Sequence, residues 1–263
     1  MSQTWPTSIT KVEPNKLLLR GYRIDELMGE ITFAQAIFLA IAGELPTEKE
    51  AGMIDAILVS SIDHGVTPPS CQAARTVTLT GSPLNAALAA GILAISRHHG
   101  GAIEDCMQVL DEAIHQKKES GKTAREQAQL LVEAYHQRKR RIPGFGHRFH
   151  TRDPRAIRLF SLAHELGIAG EHIEMAQAIE TVMEKIIGRK LPLNVDGAIA
   201  AVLRDLGFPP DLGNAFFMMA RLPGLVAHIR EERQRMKPMR HLDPKYHEYD
   251  GPSERSLDRQ KTE

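Results

Sequence analysis

Apolar positions along most of this chain recur at the three-to-four-residue spacing of a buried helix face. Phe33, Ala36, Ile37 and Ala40 form one such stripe, opened by the capping box Thr32-Phe33-Ala34-Gln35 and closed near Gly43. Thr47-Glu48-Lys49-Glu50 opens a second helix in the same way. Between residues 85 and 95 the small side chains Ala86, Ala87, Ala89, Ala90 and Gly91 would let two helices approach closely. Ile173, Ala176, Ile179, Met183, Ile186 and Ile187 mark another amphipathic helix, ended by Gly188. The stretches 198–206 and 212–227 are largely apolar, which predicts central helices. Only residues 7–20 read as extended, in the manner of a small hairpin. The pattern predicts an all-α protein.

Polar segments refine this picture. Residues 116–141 change composition enough to predict either a boundary or an exposed hairpin, and the tail 252–263 is polar enough to fray. There is no internal repeat and no long low-complexity linker. At 263 residues the chain can bury a substantial core, as one large domain or two small ones. Its 33 basic and 33 acidic residues cancel, so net charge supplies no pull toward nucleic acid or membrane. No stretch reaches the length of a spanning helix, and the N-terminus has no basic patch followed by an apolar run. Cys71 and Cys106 are too few for a disulfide framework and lack metal-type spacing. A reducing cytoplasm is the simplest expected location.

Four short segments fall at predicted helix ends and could carry chemistry: Asp63-His64-Gly65, His98-His99-Gly100-Gly101-Ala102, Ile142-Pro143-Gly144-Phe145-Gly146-His147-Arg148, and Asn194-Val195-Asp196-Gly197. In the third, Pro143-Gly144 breaks a preceding helix and Gly146 permits close approach of backbone to a ligand. His147 follows on the loop edge, and Arg155 of Asp153-Pro154-Arg155 can grip a carboxylate with paired donors. Asp196 at a helix entrance is either a cap or a base; taken alone, a cap worth about 1 kcal/mol suffices. Most of the 12 histidines are expected to be ordinary surface or core residues. Adjacent His98 and His99 point in different directions, and no metal-binding pattern supports them, so no metal is expected. The basic run 137–141 reads as a solvated helix end or as an attractor for a polyphosphate lying along the glycine loop. Without interleaved aromatics it is a poor nucleic-acid element.

Together these segments resemble the citrate synthase superfamily. The match rests on Pro143-Gly144-Phe145-Gly146-His147-Arg148 with Asp153-Pro154-Arg155, on Asn194-Val195-Asp196, and on His99-Gly100-Gly101-Ala102. Arg20-Gly21-Tyr22, Gly43-Glu44-Leu45-Pro46-Thr47, and Arg221 with Gly224 and Ala227-His228 extend it to nearly the whole chain. Within the superfamily, Asp63-His64-Gly65, Asn194-Val195-Asp196-Gly197 and Arg240-His241 look like the citryl-CoA lyase module of ATP-citrate lyase. The compact length is similar to that of stand-alone citryl-CoA lyases. Gly197 stands where synthases usually carry an aromatic residue, and Ile103 replaces their usual asparagine. Retention of His99, unlike that module, leaves a synthase-like reaction open.

The resemblance implies a citrate synthase-like fold, with a large helical domain over 1–101 and 211–263 and a smaller helical domain inserted over 102–210. It implies cleavage of citryl-CoA to acetyl-CoA and oxaloacetate, with citrate or 2-methylcitrate synthase chemistry as the alternative and a non-catalytic CoA-binding homologue as a distant one. His99, His147 and Asp196 would be catalytic, while His64, Arg155, Arg221 and Arg240 would hold carboxylates, Arg240 in a partner subunit's site. Ile142, Pro143, Gly144, Phe145 and Gly146 would accept the CoA adenine, with Arg148 and Arg152 near its phosphates. The expected partners are a CoA thioester and oxaloacetate or citrate, with no metal or redox cofactor. A homodimer is implied, as is dependence on a separate enzyme that forms citryl-CoA.

Overall fold

The computed structural model describes residues 5–146, 151–188, 190–240, 243–246 and 248–254. Three short strands, β1 (Thr10–Glu13), β2 (Lys16–Leu19) and β3 (Tyr22–Arg23), make an antiparallel sheet in the order β1-β2-β3. The hairpin expected over 7–20 is therefore present and gains a third strand. Arg20 at φ 50° and Gly21 at φ 90° form the tight β2–β3 turn, where two successive positive values suit the right-handed strand twist. The Arg20 guanidinium donates to the Ala40 carbonyl from Nε (3.1 Å) and Nη2 (2.9 Å), anchoring the sheet to the helices.

The rest is helical: α1 (Ile24–Leu27), α2 (Phe33–Ala42), α3 (Glu48–Ser60), α4 (Pro69–Leu79), α5 (Leu84–Leu93), α6 (Ala102–Ser120), α7 (Ala124–Gln137), α8 (Pro154–Leu166), α9 (Glu171–Ile187), α10 (Val195–Asp205) and α11 (Gly213–Arg235). Thr32 and Thr47 form the predicted capping boxes with Gln35 and Glu50, and Thr123 forms a third with Glu126. Left-handed Gly43, Gly167 and Gly188 end α2, α8 and α9.

α10 is buried continuously from Gly197 to Leu203 and packs among α6, α8 and α9, which is why it is apolar on every side. α11 crosses α3, α4 and α5 and also reaches α6. One continuous apolar core links α2 and α3 with α6 through α11, while Cys71, Ala74, Ala87, Leu225 and Ile229 form a second cluster between α4, α5 and α11. The polar stretch 116–141 is the end of α6, a turn, and α7. This is a helical hairpin whose inner face (Ala124, Gln127, Ala128, Val132) is buried, with α7 against α9. Gln127 escapes an unsatisfied burial by donating to Gln116 Oε1 at 2.7 Å. Among the described residues no helix is long and apolar enough to cross a membrane.

Candidate active site

Four helix ends and one helix face converge. Asp196 sits in the first turn of α10, half-buried, but it is not the cap expected from spacing alone. Asn194 is the cap: its Oδ1 accepts the Gly197 N–H at 3.1 Å. Asp196 is thus released from a structural duty. Burial pushes its carboxyl above the usual range; Arg155 and Arg221 oppose that shift, and Asp153 adds to it. A carboxyl whose proton is held more tightly than usual, within the field of two guanidiniums, is suited to moving a proton.

His99 closes the loop between α5 and α6. The Ser96 N–H donates to the His99 carbonyl (2.9 Å), the His99 N–H to the Ser96 carbonyl (2.8 Å), and the Gly101 N–H also to Ser96 (3.1 Å). Gly100, at φ +87°, has no room for a side chain, because a Cβ there would lie 2.8 Å from Ile95 and Phe217 atoms. The His99 ring pairs through Nε2 with the buried Ser70 hydroxyl at 2.8 Å and stands edge-on to Phe217 at 5.7 Å. Burial, reinforced by Arg221 and His64, lowers its pKa, so the imidazole is neutral near pH 7.

Arg221 is buried on α11, its guanidinium 4.7 Å from the Phe217 ring centroid and its Nε donating to the Ser61 carbonyl at 2.9 Å. That bond needs the chain after α3 to lie against α11, and Gly224 permits it: a Cβ there would fall 2.2 Å from the Ile62 carbonyl. The next residue, Asp63, accepts from Gly65 N–H at 2.9 Å and pairs with His228 Nε2 at 2.9 Å, which shapes the loop that exposes His64. Arg155 lies at the start of α8 and is held from one side by Asp153.

The loop 142–146 is zipped onto the approach to α10. Gly144 accepts from Asn194 N–H (3.0 Å), Gly146 N–H donates to Pro192 (2.7 Å), and Asn194 Nδ2 donates to Gly146 (2.9 Å). The contact is tight enough that a Cβ on Gly197 would lie 2.4 Å from the Gly144 carbonyl oxygen. Beside it opens a cavity of 1210 Å³ whose wall includes His99, Asp196, Asn194 and Ile142–Phe145 at one end. Arg97, Arg138, Arg140 and Arg141 supply positive charge to the same wall.

The structure therefore brings His64, His99, Arg155, Asp196 and Arg221 into one electrostatic cluster. His147, Arg148 and His241 lie outside the described residues. Arg152 lines a different cavity, of 600 Å³, between α8 and α9. Arg240 lies 3.7 Å from Glu232, a buried carboxylate on α11 that also pairs with Arg75 at 2.5 Å. Sequence patterning did not single out Ser70, and it gave no partner to Asp153, Asn194 or His228 although each stands in one of the motifs above. Ser70, Asp153 and His228 meet residues far away along the chain, and Asn194 takes the cap that spacing alone gave to Asp196. Among the described residues no group of three His, Cys, Asp or Glu side chains is placed to hold a metal ion.

Residues 47–242 match the family model described as citrate synthase, C-terminal domain. The chain belongs to the citrate synthase family. Among solved structures of this fold, the citryl-CoA lyase from Hydrogenobacter thermophilus is 43% identical, with a TM-score of 0.89 over 97% of this chain and 98% of that one. A Thermoplasma acidophilum citrate synthase, solved with carboxymethyl coenzyme A and oxaloacetate, is 25% identical at a TM-score of 0.69 over 86% of this chain and 58% of that one. The Bacillus subtilis citrate/2-methylcitrate synthase is 34% identical over 82% of this chain, which spans 58% of that relative's length.

Proposed function

We propose that this member of the citrate synthase family is a citryl-CoA lyase, cleaving citryl-CoA to acetyl-CoA and oxaloacetate. One observation carries the C–C bond chemistry that lyase and synthase share: the Asp196 carboxyl, raised by burial, feels the charges of Arg155 and Arg221 in a site that also holds neutral His99. Cleavage needs a base for the citryl hydroxyl, a donor for the thioester oxygen as negative charge develops, and an acid for the departing carbon. His147 takes the hydroxyl proton, and the C–C bond breaks to leave oxaloacetate and the enolate of acetyl-CoA. His99 hydrogen-bonds the enolate oxygen. In the tautomer that has the Ser70 hydroxyl donating to Nε2, His99 carries its proton on Nδ1 and can offer it to that oxygen. Asp196 then protonates the carbon, and burial, which raises its carboxyl, favours the protonated form that this step uses.

Arg155, Arg221 and His64 hold the carboxylates, and paired guanidinium donors fix the reacting carbons in line. The CoA portion follows the cavity past Ile142–Gly146, with Arg97, Arg138, Arg140 and Arg141 near its phosphates and Arg148 as a further candidate, whereas Arg152 faces the other cavity. Closure of residues 102–210 on the remainder would exclude water from the enolate. The active form is a homodimer in which Arg240 addresses the partner's site.

The 43% identity over almost the full length of both chains favours lyase over synthase. Condensation followed by thioester hydrolysis is the second reading, supported by the 34% identity to the B. subtilis synthase and by the presence of His99. Asp196→Asn should reduce turnover by more than about 1,000-fold, since it removes the proton carrier, while leaving the Kd for citryl-CoA within a few-fold of wild type. Rapid-quench turnover and calorimetric binding measure the two. An Asn variant that turns over normally would contradict the assignment.

A further inference from the structure

We infer that Asp153 is a positioning residue that locks the Arg155 guanidinium and the first turn of α10 into one unit, keeping Asp196 in register with the arginine. The inference rests on the proposed roles of Asp196 and Arg155. Asp153 is 1% exposed and accepts four hydrogen bonds. Its Oδ1 takes the Arg155 backbone N–H (3.0 Å) and Nε (3.0 Å); its Oδ2 takes Arg155 Nη2 (2.9 Å) and the Val195 N–H (3.1 Å).

Capping α8 requires only the first of these bonds. The two to the guanidinium fix its plane, and they leave Nη1 and the outer edge of Nη2 to face a substrate carboxylate. The fourth bond crosses to another helix. Val195 is the first residue of α10, and its N–H is one of those that a helix cannot satisfy internally. Asp196 follows it directly, so the backbone that carries Asp196 and the guanidinium beside it hang from the same carboxylate. Burial alone would raise the Asp153 carboxyl, but Arg155 and the two backbone donors outweigh this and hold it below its usual range, hence ionised. Its negative charge in turn helps keep Asp196 raised.

Two variants dissect the unit. Asp153→Asn removes the charge and the paired grip on Arg155. Val195→Pro deletes the cross-helix donor while keeping an apolar side chain in the core, at the first helical position, where proline is well tolerated, and after an Asn194 already in the extended conformation that proline requires. Both are assayed for citryl-CoA cleavage and for condensation of acetyl-CoA with oxaloacetate, alongside thermal unfolding. Asp153→Asn should lower kcat by about 100-fold and Val195→Pro by about 10-fold, the scale expected of a misplaced catalytic group.

The double variant should lose less than the product of the two single losses, because Asp153→Asn already weakens the cross-helix bond that Val195→Pro deletes. With the anion gone, the alkaline limb of the cleavage pH profile should move to lower pH in Asp153→Asn and stay in place in Val195→Pro. A purely structural cap would lower the melting temperature and leave kcat and the pH profile of the folded fraction unchanged. That result, wild-type kcat in folded Val195→Pro, or additive losses would overturn the inference. Wild-type protein inactive in both directions, or an Asp196→Asn variant at full rate, would instead overturn the proposed function.

Discussion

Two opposing influences meet on the Asp196 carboxyl: burial raises it, and Arg155 and Arg221 draw it down, with burial winning. A group whose folded pKa exceeds its unfolded value of about 3.9 stabilises the fold at low pH and loses that contribution as pH rises through the folded value. Asp196→Asn, neutral throughout, should therefore melt higher than wild type near pH 8, by about 2–4 °C for each kcal/mol relieved, and match it below about pH 4. Calorimetry across that range checks the sign; an Asn variant less stable at pH 8 would contradict it. At this scale the motifs singled out His99, Asp196, Arg155 and Arg221 as candidates, and the structure brings them into one electrostatic cluster. The cap reading of Asp196 failed because the helix starts one residue earlier: Asn194 caps it through the Gly197 N–H, which leaves Asp196 inside the first turn. Ser70 and Asp153 were illegible as partners: Ser70 meets His99 from 29 positions away, and Asp153 meets Val195 from 42. No local pattern reports such contacts.

At the scale of elements, periodicity gave the helices that matter most, because a helix buried on one side must repeat its apolar residues and one buried on all sides must be apolar throughout. It said less about α7, whose polar outer face masks a buried stripe and a satisfied Gln127. It also could not foresee why Gly197 is a glycine. The start of α10 presses on the loop 142–146, and any Cβ at Gly197 would strike the Gly144 carbonyl. Gly197→Ala should therefore push the loop from α10 and cost about 1–3 kcal/mol, as overpacking does. It should also weaken CoA-thioester binding more than it slows the bound complex. Denaturant unfolding and a KM-against-kcat comparison measure these effects; unchanged stability and unchanged KM would show that the contact is not needed.

For the whole molecule, a net charge of zero conceals a strongly uneven local distribution. Arg97, Arg138, Arg140 and Arg141 line the same cavity as Asp105, Glu112, Asp196 and His99, and the three guanidiniums clustered at 138–141 give an anionic ligand a local foothold beside the glycine loop although the protein has no overall pull. The family and the helical architecture could be read from sequence because the motifs span nearly the whole chain. The direction of the reaction could not, since lyase and synthase share the machinery for the C–C bond and differ in whether the thioester is then hydrolysed. Incubating the purified protein with citryl-CoA and resolving acetyl-CoA from free CoA tests that point most directly. Acetyl-CoA and oxaloacetate accumulating in equal amounts without release of free CoA is the predicted result; citrate and free CoA as the principal products would contradict it.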